Sequence, residues 1–218
     1  MRPKLLEIEG LQSFRTRQRI DFEQLGETGL FGIFGPTGSG KSTVLDAITL
    51  ALYGRVKRAE YGTRGIINSN MDAAGVAFTF ELMQGNERKT YRVERSFKRK
   101  KDSDNSCEPK VVRLIEVNPA GEAVLCDKTT EVTGAIEKLL GLGHDDFTRA
   151  VVLPQNSFHE FLFLDNAKRR EMLERIFYLE EYGRLLTDKL SRKMAAMKSN
   201  LDVLSGELAA YSDATDEA

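Results

Sequence analysis

The feature that most constrains this chain is a glycine-rich run near its N-terminus. It matches the phosphate-binding loop pattern G-x-x-x-x-G-K-[ST] at every position: Gly35, Pro36, Thr37, Gly38, Ser39, Gly40, Lys41 and Ser42. An apolar run at 29–34 precedes the loop and predicts a buried strand, and apolar positions with a helical period predict a helix over 42–53. Strand, glycine loop and helix form the context in which this pattern binds phosphate.

The chemistry of phosphate binding explains the residue types of this loop. The glycines allow backbone conformations that turn successive N–H groups toward one anion, and the N-terminus of the following helix adds partial positive charge. Lys41 supplies a mobile charge for the β- and γ-phosphates, and the Ser42 hydroxyl is a ligand for Mg²⁺. The loop therefore predicts binding of ATP with Mg²⁺. The structural alternative is a glycine-rich turn before a helix.

The composition indicates a soluble globular protein of one or two domains. The 218 residues are 41% apolar and 30% charged, with a formal net charge of −1. Because there is no signal-peptide core and no apolar run of the ~20 residues that span a bilayer, we expect a cytoplasmic protein without membrane association. Cys107 and Cys126 lack the spacing of zinc ligands and are expected to be reduced. The net charge excludes a uniformly basic nucleic-acid binder and leaves local basic patches possible.

Alternating apolar and polar residues predict a sheet. Strands are expected at 4–10 and 18–22, which join 29–34 at the start of the sheet. Residues 73–127 predict an antiparallel β-meander of two hairpins, with strands at 75–82, 90–97, 111–117 and 123–126. The aperiodic span 54–70 predicts a long functional loop.

Two helices and a further strand are predicted after the meander. The helices are expected at 128–140, where Gly141 ends the first, and at 145–150. A buried strand is expected in the run 151–155, and Pro154 ends it, which places Gln155 on the loop beyond.

The apolar run that ends at Asp165 has two interpretations. Asp165 or Asn166 can cap a helix predicted over 167–178, or Asp165 can be the Mg²⁺-binding residue of a Walker B strand. The residues around it favour the capping interpretation.

The last part of the sequence, 179–218, is polar and helical by its pattern. Seven large side chains follow each other at alternating spacings of four and three: Leu190, Met194, Met197, Leu201, Leu204, Leu208 and Tyr211. Three heptads predict the start of a coiled coil, and the alternative is an amphipathic helix docked on the domain. We therefore expect two parts, 1–178 and 179–218.

Basic residues are concentrated in the first hairpin of the meander, at 87–101. One interpretation is a solvated surface, and the other is a contact with the phosphate backbone of DNA. The candidates for that contact are Arg88, Lys89, Lys98, Arg99, Lys100 and Lys101.

Taken together, these segments resemble the N-terminal part of the SMC-like ATPases of double-strand-break repair, the family of the SbcC proteins. The likeness covers essentially the whole chain. The residues that carry it are Ile20-Asp21-Phe22, Gly29-Leu30-Phe31, the phosphate loop and its helix as far as Gly54, Leu153-Pro154-Gln155, Phe158, Phe161-Leu162, and the helix 169–174 with Tyr182-Gly183.

The resemblance implies an α/β fold, the N-terminal lobe of an ABC-type ATPase head, with an antiparallel β-meander and a C-terminal helix that starts a coiled coil. It implies that Gly35 to Thr43 bind the phosphates and that Ser42 and Gln155 coordinate Mg²⁺. It also places four residues near the base and ribose: Ser13, Phe14, Thr63 and Arg64.

The family also implies partners that this sequence does not contain. They are the C-terminal half of the same protein, with its signature motif, Walker B strand and catalytic Glu, a second copy of the head, a metal-dependent nuclease of the SbcD type, and duplex DNA. Since no Ser-Gly-Gly run or C-x-x-C hook is present, we expect a fragment that hydrolyses ATP poorly by itself. The complete protein is expected to hydrolyse ATP as its heads engage and to regulate the nuclease in processing DNA breaks and hairpins.

Other functions are compatible with a phosphate-binding loop. A small-molecule kinase could use 55–64 as a lid, but the terminal heptads argue against it. A transporter ATPase, an ATPase of chromosome maintenance and a non-catalytic structural module are the remaining alternatives.

Overall fold

The computed structural model describes residues 1–25, 30–100, 106–152, 163, 165–177, 179 and 183–211. The strands within them are β1 (Arg2–Glu9), β2 (Gln18–Asp21), β3 (Ala73–Gln84), β4 (Glu87–Arg99), β5 (Cys107–Asn118) and β6 (Gly121–Cys126). The helices are α1 (Phe22–Leu25), α2 (Lys41–Tyr53), α3 (Thr129–Leu140), α4 (His144–Ala150), α5 (Asn166–Ile176) and α6 (Arg184–Ala210). The chain divides into two compact units, 1–163 and 164–218.

The first unit is built on one antiparallel sheet with the strand order β2-β1-β3-β4-β5-β6. Four fully buried side chains lie in register across its centre: Leu6, Phe78, Val93 and Leu114. The meander is therefore continuous with the N-terminal strand, because β3 pairs directly with β1.

Helices cover one face of this sheet. The helix α2 contacts β1, β3 and β4, and α3 contacts β5 and α2. Almost every residue of α2 is buried, including Leu50, Ala51 and Leu52. Since α2 begins at the phosphate loop, the sheet holds that loop through a largely buried helix.

Most of the predicted elements are confirmed in type and close to their predicted ends. This holds for both hairpins of the meander, for α2, α3 and α4, and for the irregular span 54–70. Gly141 follows α3 with φ of 67°, the left-handed conformation expected of a glycine at a helix end. The predicted α/β class with an antiparallel meander is confirmed.

Two predicted strands are wrong where the structure describes them. Residues 30–34 have no regular secondary structure, and Leu30 and Phe34 are 83% and 92% exposed. An apolar run indicates a tendency to be buried, but a strand also needs a neighbour to pair with, and no described strand pairs with this run. Val151 and Val152 form a turn after α4, and 153–155 lie outside the described residues.

The second unit contains α5 and α6. The seven predicted seam residues are exposed to between 55% and 77%, from Leu190 to Tyr211. No helix among the described residues is long and apolar enough to cross a membrane. The predicted boundary between 178 and 179 stays a prediction.

Candidate nucleotide-binding site

The phosphate loop folds into a tight turn at the start of α2. Gly38 and Gly40 have φ of 85° and 95°, in the left-handed region that favours glycine. The N–H of Ser39 donates to the carbonyl of Pro36 at 3.2 Å, and the N–H of Val44 donates to the carbonyl of Gly40 at 3.1 Å. The loop therefore leads directly into the first hydrogen bond of the helix and leaves that helix's N-terminus open to an anion.

Lys41, the first residue of α2, lies over the beginning of the loop. Its Nζ donates to the carbonyls of Gly35 at 2.7 Å and Pro36 at 2.8 Å. The ammonium group thus adds a full positive charge beside the partial charge of the helix N-terminus. This combination suits a phosphate chain.

The two hydroxyl residues that follow Lys41 have different environments. Ser42 is exposed, whereas Thr43 is buried and donates from Oγ1 to Oε1 of Gln12 at 3.0 Å. A single hydroxyl oxygen beside a phosphate site fits Mg²⁺, which retains waters and takes its other ligands from phosphates. Among the described residues, no group of three His, Cys, Asp or Glu side chains could hold a metal ion by itself.

The turn between β1 and β2 brings Ser13 and Phe14 to the phosphate loop. Ser13 donates from Oγ to the carbonyl of Gly38 at 3.0 Å. The ring of Phe14 lies so close to Gly40 that a Cβ atom on that glycine would stand 2.8 Å from Cζ of the phenylalanine. A cavity of about 620 Å³ borders both residues, and its other lining residues lie at the end of β1, on the β1–β2 connection, at the start of β2 and at Met71.

Thr63 and Arg64 lie in the span 54–70. The carbonyl of Thr63 accepts a hydrogen bond from Sγ of Cys107 at 3.3 Å, and Nη1 of Arg64 is 3.1 Å from a carboxylate oxygen of Glu60. These contacts of Thr63 and Arg64 are with β5 and with the span itself. Ser13 and Phe14, by contrast, contact the phosphate loop.

Sequence reasoning missed a group of polar residues behind the phosphate loop. Gln12 contacts both Thr43 and Arg58, and Arg58 forms an ion pair with the buried Asp46 of α2. Burial raises the pKa of Asp46, and the Arg58 guanidinium opposes that rise. The positive φ of Gln12, 45°, is a structural signal that has no counterpart in the sequence pattern.

Gln155 lies outside the described residues. Asp165 is described, and one of its carboxylate oxygens accepts the N–H of Lys168 at 2.8 Å, at the start of α5. That hydrogen bond keeps the pKa of Asp165 below its usual value. The side chain is a helix cap, in agreement with the favoured interpretation.

The basic candidates occupy opposite ends of β4. Arg88 and Lys89 stand beside the β3–β4 turn, and Lys98 and Lys100 are exposed at the other end, roughly 33 Å away at the usual rise per residue. Nη2 of Arg99 donates to the carbonyl of Asn68 at 2.9 Å and so supports the span 54–70. Lys101 lies outside the described residues. The candidates therefore form two separate basic surfaces.

Comparison with known proteins places this chain in a family. The model of the AAA domain family matches residues 5–216. The C subunit of nuclease SbcCD from Bacillus subtilis (strain 168) is 50% identical over 218 residues, which are 100% of this chain and 19% of that protein. Its counterpart from Clostridium acetobutylicum is 43% identical over 100% of this chain and 18% of its own length. The probable DNA double-strand break repair Rad50 ATPase of Aquifex aeolicus is 32% identical over 94% of this chain and 20% of its own.

The chain spans about a fifth of the length of these curated relatives. Among solved structures, the SMC head domain from Thermotoga maritima overlaps 50% of this chain and 37% of its own, with 24% sequence identity and a TM-score of 0.27. That structural overlap is too slight to add to the description of the fold.

Proposed function

Because the chain belongs to the AAA domain family and resembles SbcC proteins along its whole length, we propose that it binds ATP as part of a DNA-repair ATPase head. The observation that carries this proposal is the convergence on one loop of a helix N-terminus, the Lys41 ammonium and the Ser13–Phe14 turn. The loop and Lys41 hold the phosphates, and Phe14 and Ser13 lie on the side of the base and ribose. Thr63 and Arg64 remain further candidates for that side.

Magnesium completes the proposed site. Ser42 offers an exposed hydroxyl at the first turn of α2, and Gln155 is the second proposed ligand. The bound Mg²⁺ neutralises phosphate charge during hydrolysis.

Hydrolysis needs groups beyond those described here. We propose that a C-terminal half with a Walker B strand and catalytic Glu, together with a second copy of the head, completes the site around ATP. In that assembly α6 continues as a coiled coil, a nuclease of the SbcD type docks at its base, and duplex DNA lies against the heads. ATP-dependent engagement of the heads then regulates the nuclease.

Calorimetric titration with MgATP tests the binding proposal. We expect the variant Lys41→Ala to bind MgATP about 10- to 100-fold more weakly, since a hydrogen bond to a charged group is worth ~1.5–3 kcal/mol. Lys110→Ala is the matched control, because Lys110 is an exposed lysine whose ammonium pairs with Glu108 on β5. Equal affinity of the Lys41→Ala variant and the parent would overturn the proposed function.

The incomplete site has its own test. We expect the chain by itself to turn over ATP far below the rate of an ordinary ATPase, because the proposed general base, the catalytic Glu, belongs to the C-terminal half. Ordinary turnover that disappears in the Lys41→Ala variant would show that the chain holds a complete site.

A further inference from the structure

We propose that Gln12 is a positioning residue that holds the Ser13–Phe14 turn against the phosphate loop. This inference rests on the proposed nucleotide binding and deepens it, because it names the residue on which the base side of the site depends. Gln12 is the first residue of this turn and its side chain contacts α2, so its effect on the nucleotide passes through the two residues that follow it.

The backbone of Gln12 is held in a conformation that residues other than glycine seldom adopt. Its φ of 45° lies in the left-handed region, where the Cβ atom crowds the backbone. The surrounding chain compensates for this strain. The N–H of Gln12 donates to the carbonyl of Ile66 at 2.9 Å, and its carbonyl accepts a hydrogen bond from Nδ2 of Asn68. The span 54–70 thus fixes the turn from outside.

The side chain of Gln12 connects the same turn to α2. Oε1 accepts hydrogen bonds from Oγ1 of Thr43 at 3.0 Å and from Nη2 of Arg58 at 3.3 Å. Arg58 in turn donates from Nε to the carboxylate of Asp46 at 2.7 Å. Thr43 and Asp46 are 3% and 6% exposed and lie one turn apart on α2. Gln12 is therefore the point at which three segments meet: the β1–β2 turn, the first turns of α2 and the span 54–70.

The contacts of Gln12 affect the ligand because the two residues that follow it in the sequence touch the phosphate loop. The next residue, Ser13, bonds the carbonyl of Gly38, and Phe14 packs on Gly40. If the Oε1 contacts are lost, the strained turn can relax and move both side chains away from the loop. Lys41 and the loop N–H groups keep their own supports, because Lys41 bonds Gly35 and Pro36. Loss of the Gln12 contacts should thus weaken recognition of the base more than recognition of the phosphates.

The test compares a ligand that has a base with one that has none. The affinities for MgATP and for magnesium tripolyphosphate are measured for the parent and for Gln12→Leu, which keeps the bulk of the side chain and loses the acceptor. We expect binding of MgATP to weaken about 3- to 10-fold, roughly the net contribution of one hydrogen bond, because the contacts with Thr43 and with the charged Arg58 act on the nucleotide only through the turn. Tripolyphosphate affinity should change by less than about twofold, because both contacts of Oε1 lie behind the loop and tripolyphosphate is held mainly by charge.

Two further variants protect the result from a folding artefact. Asn68→Ala removes the outer support of the Gln12 carbonyl while every residue of the turn stays unchanged in type, and it should show the same selective loss of MgATP affinity. Gln24→Leu alters an exposed glutamine of α1 and should change neither affinity. Thermal unfolding of each variant shows which of them are folded.

The outcomes separate this inference from the proposed function. If the parent binds neither MgATP nor tripolyphosphate, the proposed function fails. If the parent binds both and the folded Gln12→Leu and Asn68→Ala variants keep parental affinities, or lose both affinities in equal proportion, the positioning role of Gln12 is refuted. A selective loss of MgATP affinity supports it.

Discussion

Arg95 of β4 donates from Nε to the carbonyl of Ala51, at the C-terminal end of α2, over 2.7 Å. Its Nη2 also donates to the carbonyl of Leu52 and to Oγ1 of Thr133, both at 3.0 Å. The side chain is 2% exposed, and burial lowers its pKa to about 10, so it remains charged at neutral pH. The cation stands at the negative end of the helix dipole. The helix that begins at the phosphate loop thus ends on a buried arginine of the sheet.

We expect Arg95→Met to destabilise the fold by about 2–4 kcal/mol, since the substitution leaves buried carbonyls without their charged donor. Urea unfolding measures the change. Arg92→Met on the outer face of β4 is the matched control, because Arg92 pairs with the exposed Glu122 and should cost much less. Equal losses in the two variants would contradict the role assigned to the buried contacts of Arg95.

Gly40→Ala should weaken nucleotide binding and reduce stability. An alanine held at φ of 95° would carry about 1–3 kcal/mol of backbone strain. Its Cβ atom would also press on the ring of Phe14. MgATP titration and thermal unfolding measure the two effects. Gly134→Ala in α3 provides the control, because open space surrounds that glycine and alanine stabilises a helix interior by about 0.5–1 kcal/mol. Parental affinity in Gly40→Ala would show that the loop tolerates a side chain there.

Stability should fall as the pH drops below 6.5, the ordinary pKa of histidine, because of His144. This ring is 5% exposed, its Nδ1 lies 2.9 Å from a carboxylate oxygen of Asp145, and its Nε2 is buried without a hydrogen-bond partner in the described structure. Burial lowers the pKa of His144, and the Asp145 carboxylate opposes this while Arg55 and Lys57 assist it. Below pH 6.5 the unfolded chain therefore binds a proton at His144 more readily than the folded chain does. The free energy of unfolding falls by up to about 1.4 kcal/mol per pH unit as a result.

The variant His144→Phe isolates this effect, since it keeps the ring packed edge-on against Tyr53. Urea unfolding between pH 7.5 and pH 5.5, taken here as roughly one unit either side of the histidine pKa, should show a shallower loss in the variant than in the parent. The carboxylate in contact with the ring titrates at lower pH, because its contact with His144 keeps the pKa of Asp145 below its usual value. Identical slopes would mean that His144 is protonated as easily in the folded chain as in the unfolded one.

The two ends of β4 should differ in their effect on DNA binding. Lys98 and Lys100 are exposed, whereas Lys89 stands 3.5 Å from Glu116. We expect Lys98→Glu with Lys100→Glu to reduce the salt dependence of duplex binding by about two phosphate contacts, or roughly 1.8 in the log–log slope. Arg88→Glu with Lys89→Glu should have the smaller effect. Unchanged affinity and slope in the first pair would remove that end from the proposed DNA surface.

The fold could be predicted where the apolar and polar pattern of a segment matches the face that it buries against neighbouring segments. Alternation over 75–82 and 90–97 predicted the two strands of a hairpin, and the structure pairs Phe78 with Val93 on their buried face. The same alternation put Arg95 on that face, but its partners lie about forty residues away in α2 and α3, where no local pattern can show them. For the run at 30–34, apolar composition indicated burial and could not supply a pairing strand.

The site was predictable to a similar degree. The motif located Lys41 and the glycines, and family resemblance pointed to Ser13 and Phe14, which the structure brings to the loop. The sequence did not single out Gln12, because its role depends on a backbone angle and on contacts with Thr43 and Arg58. A single sequence records neither.

The pairing of β1 with β3 has a consequence for how this chain is made. The strand β1 is translated first, but its long neighbour β3 begins at residue 73. Leu6 can therefore pair with Phe78 only after the ribosome has released that part of the chain. Closing so large a ring is slow compared with forming a hairpin. The segment between these strands contains the phosphate loop and α2, so the sheet surface that α2 contacts is complete only after β3 has paired with β1. A nascent chain halted before residue 73 would carry the complete motif and still lack the sheet that supports it.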